Sequence, residues 1–500
     1  GTISGFATIT SVSAGGTWDG TSAWTGAFGN LTEPGPGHNV IIASGDAVSL
    51  SAASSVNSVT IQSGGKLNQT AGTLTTTGDF LIEDGGSFIQ EGSLSVGGTT
   101  QVSKTVGAHA TEGWKFMAAP VSDQAIDPAF TGTSGQYDFF RYDEPNQTWY
   151  AFAGANWGAN TNFEAGKAYL TGYAAGGTKT FAGALNTANV SVDLTNTAAG
   201  DADLQGFNLI GNPFPSALTW NASTWGGTNV QATAYAWNNG SYVPVAANDV
   251  LQPTEGIFVY TSASETLSIP AASRVHPTSA PSKSSVVRMS LTAKEQGSEI
   301  EQLAIVEFNP SASANYDLAY DAKFLAGNAP QFYSIAGNER LLVNSLPALN
   351  EELVIPFDFV VTQSGNYEIE LHEVAGSLPV YLTDRKTNTQ VELSAVGSYY
   401  FTAEMGDDID RFLLHFAEIL SNEMPNLNQP SAYTYSHTLV INDANNNLQV
   451  SVYNALGQHV SSFATSGMGV SQHELNVPTG SYMIRMQSNN QVVTSKVFIQ

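Results

Sequence analysis

The sequence predicts an all-β chain of several domains: a short N-terminal β-solenoid or β-roll, two copies of one β-module, a β-sandwich, and a small immunoglobulin-like β-sandwich at the C-terminus. Three observations carry that prediction. Charged residues make up 12% of 500, about half the usual share, while glycine numbers 48, a composition suited to many short strands joined by turns. Apolar residues reach 42% and aromatics 10%, enough to offset chain entropy over the roughly three to five domains that the length suggests. The third observation is self-similarity, which occurs in two places.

The first repeat defines residues 1–104. Ser58–Gln69 (SVTIQSGGKLNQ) aligns with Asp79–Gln90 (DFLIEDGGSFIQ) at an offset of 21, and a weaker copy runs over Val40–Val48 at an offset of 19. Each unit is a short alternating strand, a glycine corner and a second strand. Such a unit cannot bury its apolar face alone but can by stacking on a copy of itself. The alternative is a meander whose hairpins share turn chemistry.

The second repeat is longer. Gly113–Pro120 (GWKFMAAP) matches Gly206–Pro213 (GFNLIGNP) at an offset of 93. Phe140-Arg141-Tyr142 through Trp149-Tyr150 is echoed by Tyr235-Ala236-Trp237 through Tyr242, and Glu164–Leu170 pairs with Thr254–Tyr260. Residues 105–200 and 201–277 therefore read as two copies of one module, packed side by side. A Pro- and Ser-rich linker follows at 278–285.

Residues 286–418 read as the sandwich, with strands at Val286–Leu291, Gln302–Phe308, Glu352–Val361, Asn366–Glu373, Pro379–Thr383, Ser398–Thr402 and Arg411–Phe416. A second linker, 419–431, contains Pro425 and Pro430. The last unit, 432–500, has strands at Thr438–Ile441, Leu448–Tyr453, His473–Val477, Ser481–Gln487 and Val492–Ile499.

Charge narrows the function classes. With 17 basic and 43 acidic residues the net charge is −26, a field that opposes nucleic-acid phosphates and anionic lipid. No cysteine is present, which removes disulfides, thiolate metal sites and cysteine nucleophiles together. No apolar run approaches the roughly 18 residues of a membrane-spanning helix. The low lysine and high Thr, Asn and Gly content suits an extracellular surface, and the sequence reads as a mature product after signal-peptide removal.

Catalytic motifs are absent: there is no G-x-S-x-G elbow, H-E-x-x-H pair or Walker loop. The chain is expected not to be an enzyme. Eight histidines, at 38, 109, 276, 372, 415, 437, 459 and 473, show no metal-pair spacing, and His415 reads as a strand residue on a polar face. Glu368, Glu370 and His372 alternate with Ile369 and Leu371, the pattern of a solvated strand face rather than of two carboxylates across a cleft. Calcium is the one cofactor the sequence offers a loop for. Asp201-Ala202-Asp203-Leu204-Gln205-Gly206 supplies oxygen ligands at positions 1, 3 and 5 and the glycine at 6, but Asn212 stands where a bidentate glutamate belongs, and Gly206 already belongs to the repeat. Asp407, Asp408 and Asp410 form a second acidic turn suited to a metal. Aromatic residues crowd between Tyr137 and Trp157. Most of them read as core, with Trp149, Tyr150 and Trp157 the candidates for stacking on sugar rings.

The C-terminal unit carries the most specific signal. Val452–Gly457 (VYNALG), Pro478–Tyr482 (PTGSY) and Lys496–Ile499 (KVFI) together resemble the type A C-terminal sorting domain of proteins exported by the type IX secretion system of Bacteroidota. The resemblance places the sorting signal on Tyr453, Gly457, Pro478, Gly480, Tyr482 and Lys496. It implies the type IX translocon as partner and the cell surface or medium as location, with the domain often removed or exchanged for a lipid anchor afterwards. The usual Pro-Asn-Pro start is replaced by Ala432-Tyr433-Thr434-Tyr435. Gly206–Trp220, and the sandwich pieces Tyr320–Gly327, Phe332-Tyr333-Ser334 and Asp410–Phe416, resemble modules of secreted proteins from the same bacteria. Three functions follow as expectations. The first is a structural or adhesive surface protein that self-assembles through open solenoid ends and sandwich edges. The second is a polysaccharide-binding protein, and the third a hydrolase with an unrecognised site.

Overall fold

The computed structural model describes residues 7–12, 16–19, 24–26, 33–277, 287–374, 378–417, 430–435, 438–443, 448–465, 469–488 and 492–499. The expected linker at 278–285 and most of that at 419–431 lie outside them. The described chain forms two compact units, one of residues 1–239 and 245–283, the other of residues 240–244 and 284–500.

The first unit opens with a three-sided β-solenoid. Ala7–Ser11, His38–Ile42, Ser58–Ile61, Phe80–Ile82 and Thr100–Val106 stack in parallel as one side. Gly16–Thr17, Ala47–Leu50, Lys66–Gln69 and Ser87–Gln90 form the second side, and Ser54–Val56, Thr73–Thr76 and Ser93–Val96 the third. The repeat offset becomes stacking register: Phe80 lies beside Val59, Ile82 beside Ile61 and Phe88 beside Leu67, all buried. The glycine corners are steric. A Cβ on Gly65 would meet the Ile42 carbonyl oxygen at 2.6 Å, and one on Gly86 the Ile61 carbonyl oxygen at 2.8 Å.

The first side of this stack is paired over at both ends. Trp24–Gly26 runs antiparallel to Ala7–Ser11, with Trp18 and Trp24 edge to face at 5.2 Å. At the other end Gly177–Ala182 pairs antiparallel with Thr100–Val106 over six residues. There also the Phe88 N–H donates to the Pro215 carbonyl at 3.0 Å, and Arg274 Nη1 donates to the Gln90 carbonyl at 2.8 Å. Ser87 Oγ lies 2.8 Å from His276 Nδ1, and burial pushes that imidazole down to about 4, so it is neutral at physiological pH. The expected open ends are therefore closed by paired strands on the first side only: on the third side Ser54–Val56 and Ser93–Val96 remain edge strands among the described residues.

The segments matched at an offset of 93 occupy corresponding strands of two sheets. The first sheet runs Lys115–Ala118, Ala168–Tyr173, Tyr137–Asp143, Thr148–Ala151. The second begins in the same order, with Phe207–Gly211, Gly256–Tyr260 and Ala234–Asn238. They meet through reciprocal backbone hydrogen bonds, Ala118 N–H to Thr254 O and Gly211 N–H to Gly166 O, each 2.9 Å. Small residues permit that approach: a Cβ on Gly211 would sit 2.3 Å from Ala118 Cβ, and one on Gly256 2.4 Å from Ala168 Cβ. Gly177–Ala182 leaves the first sheet to cap the solenoid, and Val190–Leu194 pairs with Glu265–Ile269.

In the second unit, residues 287–416 build one sheet rather than two separate ones. Its path is Thr389–Glu392, Tyr381–Asp384, Phe412–His415, Val354–Val360, Gln331–Ala336, Glu339–Leu346, Glu301–Phe308, Val287–Glu295, Gly365–Glu373, Ser398–Ala403. The strands at the two ends of that path are neighbours in sequence, joined by the short helix Leu393–Val396. The sheet must therefore fold over on itself, and Phe332, Phe357, Phe359, Phe401 and Phe412 fill the space between its halves. The C-terminal residues form a separate two-sheet sandwich: Ser431–Tyr435, Thr438–Asp443 and Gly469–Glu474 against His459–Ala464, Gln449–Asn454, Gly480–Gln487 and Val492–Ile499. Among the described residues no helix is long and apolar enough to cross a membrane.

Candidate functional site

The aromatic candidates do not share a surface. Trp157 is buried, its Nε1 donates to the Asn160 carbonyl at 2.7 Å, and it packs edge-on against Phe152 at 5.0 Å and near Phe139 and Tyr169. It is a core residue, not a ligand platform. Trp149 and Tyr150 are strand neighbours and so face opposite ways. Tyr150 lies under the Arg141 guanidinium at 4.7 Å, whereas Trp149 packs with Tyr142, Phe116 and Phe258.

The acidic candidates are occupied by neighbouring groups. Asp201 Oδ1 accepts the Asp203 N–H at 3.0 Å, and Gln147 clamps the Asp201 backbone from both sides. Glu144, which sequence reasoning missed, accepts the Gly206 N–H at 2.9 Å together with the Thr197 N–H and hydroxyl. Asn212 is fully buried and pins the Ser216 and Gln252 carbonyls. Asp407 pairs with Lys386 at 2.7 Å and Asp410 with Arg385 at 2.6 Å, while Asp408 lies against Asp410. Among the described residues no group of three or more His, Asp or Glu side chains is arranged to hold a metal ion.

His415 is buried, contrary to its expected polar face. Its Nε2 lies 2.8 Å from Thr383 Oγ1 and its Nδ1 2.7 Å from the Ala417 carbonyl, and its ring stacks on Tyr381. Glu368 pairs with Lys294 at 3.0 Å, and His372 Nδ1 lies 3.8 Å from Glu370, as on a strand face laced with ion pairs.

Two buried acids in the same unit went unforeseen. Burial pushes Asp321 up to about 7 despite the Ser345 and Asp317 N–H groups it accepts, with Asp317 and Glu307 adding repulsion. Burial pushes Asp358 up to about 6, helped by Asp410 and Asp408 and opposed by the Tyr333 hydroxyl and Arg340. The folded state thus holds the Asp358 proton more tightly than the unfolded chain. That stability is complete below the ordinary pKa of 3.8 and is lost as pH rises to about 6. Asp358→Asn keeps the acceptor for Tyr333 and removes the buried charge. It should raise the melting temperature by a few degrees at pH 8, by less at pH 5, and leave it unchanged at pH 3, below both pKa values, read by differential scanning calorimetry at each pH.

The C-terminal motif resolves into two kinds of residue. Gly457 sits at φ +80° in a turn where Asn454 Oδ1 accepts the Leu456 and Gln458 N–H groups, both at 3.0 Å. Tyr482 is buried, and its hydroxyl donates to the Pro478 carbonyl at 2.6 Å, fixing the hairpin in which Gly480 begins its strand. These residues hold the fold. Tyr453 and Lys496 instead stand on the outer face of the four-stranded sheet, one on either side of Met483 in a cross-strand row.

Residues 435–500 match the secretion system C-terminal sorting domain. Residues 12–268 and 274–416 match a domain of unknown function, DUF8693. The chain belongs to the DUF8693 family. This DUF8693 protein carries a sorting domain of the type IX secretion system, which implies a Bacteroidota source and export to the cell surface or the extracellular space. The family match runs through the solenoid, both modules and the folded-over sheet with a break of only five residues. No curated protein matches the chain. Among solved structures, it is similar to dimeric latent PorU from Porphyromonas gingivalis at 10% identity and a TM-score of 0.14, over 64% of this chain and 35% of that one.

Proposed function

We propose that this DUF8693 protein acts outside the cell as a non-enzymatic structural or adhesive component. The observation that supports the reading is how its polar residues are used. Among the described residues, Asp201, Asp407, Asp410 and His415, which could suggest chemistry, are occupied in holding strands or turns. For assembly through solenoid ends, the first side is capped by paired strands, which leaves the third-side edge Ser93–Val96 as a solenoid strand available for pairing. A second edge for pairing between copies is Ser398–Ala403, whose Tyr400 is 60% exposed, with Val396 and Met405 exposed nearby.

Glycan binding is a second reading, moved to a different surface. Phe116, Phe140, Tyr142 and Trp149 lie half-buried on one face of the first module sheet, with Trp114 against Phe140. Electron microscopy of protein recovered from the cell exterior separates the two. Ordered filaments or sheets, lost on Tyr400→Lys, are the expected result. Monomers that bind a glycan array and lose that binding on Trp149→Ala would favour the second reading, and turnover on polysaccharide or peptide panels would overturn the non-enzymatic one.

A further inference from the structure

The sorting domain differs in charge from the cargo it carries. Residues 432–500 contain Arg485 and Lys496 against Asp443 and Glu474, so they are neutral. Of 17 basic and 43 acidic residues, 15 and 41 then belong to residues 1–431, which hold the full net charge of −26. Both cations of the sorting domain lie on one face. Tyr453, Met483 and Lys496 form a row across three strands, and Ser451, Arg485 and Thr494 form the next. Arg485 and Lys496 are exposed, and beside them Met483 is 40%, Phe498 48% and Val492 50% exposed. Glu474 stands on the other sheet of the sandwich. Glu352, in the turn before Val354–Val360, is within electrostatic reach of Lys496, which nonetheless stays exposed.

Alternation explains what this face is not doing. On the same strands Tyr482, Ile484, Met486, Val497 and Ile499 point inward and form the core. The outward Met483 and Phe498 add nothing to it, and exposed apolar side chains beside exposed cations mark a contact surface. We propose that this face is what the export machinery reads: a docking surface for an acidic protein partner with an apolar pocket for Met483 and Phe498. The proposal rests on the assignment of residues 435–500 as the sorting domain. Charge then supplies discrimination, since an acidic receptor is repelled by the net charge of the −26 cargo and attracted by this face, which orients the chain tail-first.

The test uses the full chain in the secreting bacterium, with surface and periplasmic fractions measured by immunoblot and melting followed on purified protein. Arg485→Glu/Lys496→Glu and Met483→Ser/Phe498→Ser should each keep the wild-type melting temperature and lose most of the surface signal to the periplasm. Lys496→Arg, and Glu474→Lys on the other sheet, should export normally. Should the charge reversal unfold the domain, Arg485→Gln/Lys496→Gln takes its place with the same expectation. Normal export of the folded charge variants overturns the inference. If removal of residues 432–500 still blocks export in that case, the sorting assignment stands and only the face is wrong. If the wild-type domain binds phosphatidylglycerol vesicles and a variant that cannot bind them still reaches the surface, the face is a lipid contact and the inference also fails.

Discussion

A chain ending at residue 431 remains in the periplasm. The expectation is sharp because the deletion is structurally clean. Every strand of the last two sheets lies between Ser431 and Ile499, and among the described residues no strand from 432 onward joins a sheet of the preceding residues. Their core is also self-contained, with Leu439, Ile441, Val450, Val452, Ile484, Met486, Val497 and Ile499 packed on one another. Removing them takes no ladder hydrogen bond and no core side chain from the folded-over sheet, so the truncated protein should keep its melting transition. Loss of export then reports on the signal and not on misfolding. Cell fractionation with an immunoblot against the solenoid checks it. Truncated protein in the medium at normal levels would show that export does not depend on the sorting domain.

What the sequence disclosed depended on how local the cause was. The solenoid was legible because its stacking partner lies one repeat away, so that Phe80 over Val59 is visible as a 21-residue offset. Its third side was not, because Thr73–Thr76 and Ser93–Val96 expose Ser and Thr outward and each turn inward only two residues, Leu74 and Thr76, or Leu94 and Val96. The hairpin of Gln331–Ala336 and Glu339–Leu346 was missed for the opposite reason. Its strands are covered on both faces, and the alternation that announces a half-exposed strand disappears. Trp157 reads as a sugar-stacking candidate within the aromatic crowd of Tyr137 to Trp157, yet the loop that carries it folds its ring into the core. For the sorting signal the motif was plain, but nothing local separates Tyr482, which is buried, from Lys496, which is exposed. That division needs the strand register. Buried charge was the least legible of all, because it is set by partners distant in sequence.

The clearest case of such a partner is Arg411, and replacing it with alanine should destabilise the second unit by about 3–5 kcal/mol. Its guanidinium grips Asp384 with two hydrogen bonds, Nη2 to Oδ2 at 2.7 Å and Nε to Oδ1 at 3.0 Å, with side chains only 2% and 0% exposed. Burial alone would raise the Asp384 carboxyl, but Arg411 holds it below its ordinary range, helped by the Tyr399 hydroxyl and the Lys386 N–H. The third arm, Nη1, donates to the Thr402 carbonyl at 2.8 Å, and the guanidinium lies over Phe401 at 4.5 Å. Asp384 ends the second strand of the sheet path, while Tyr399 and Thr402 belong to its last. The pair therefore sits where the folded-over sheet closes, and Arg411→Ala leaves a carboxylate buried there with its main counter-charge gone. Chemical denaturation of the purified protein reads the loss, and Arg411→Met/Asp384→Leu should recover most of it, because replacing both charges removes the desolvation cost along with the attraction. A loss below about 1 kcal/mol for Arg411→Ala would place the closure in the aromatic packing of Phe359, Phe401 and Phe412 instead.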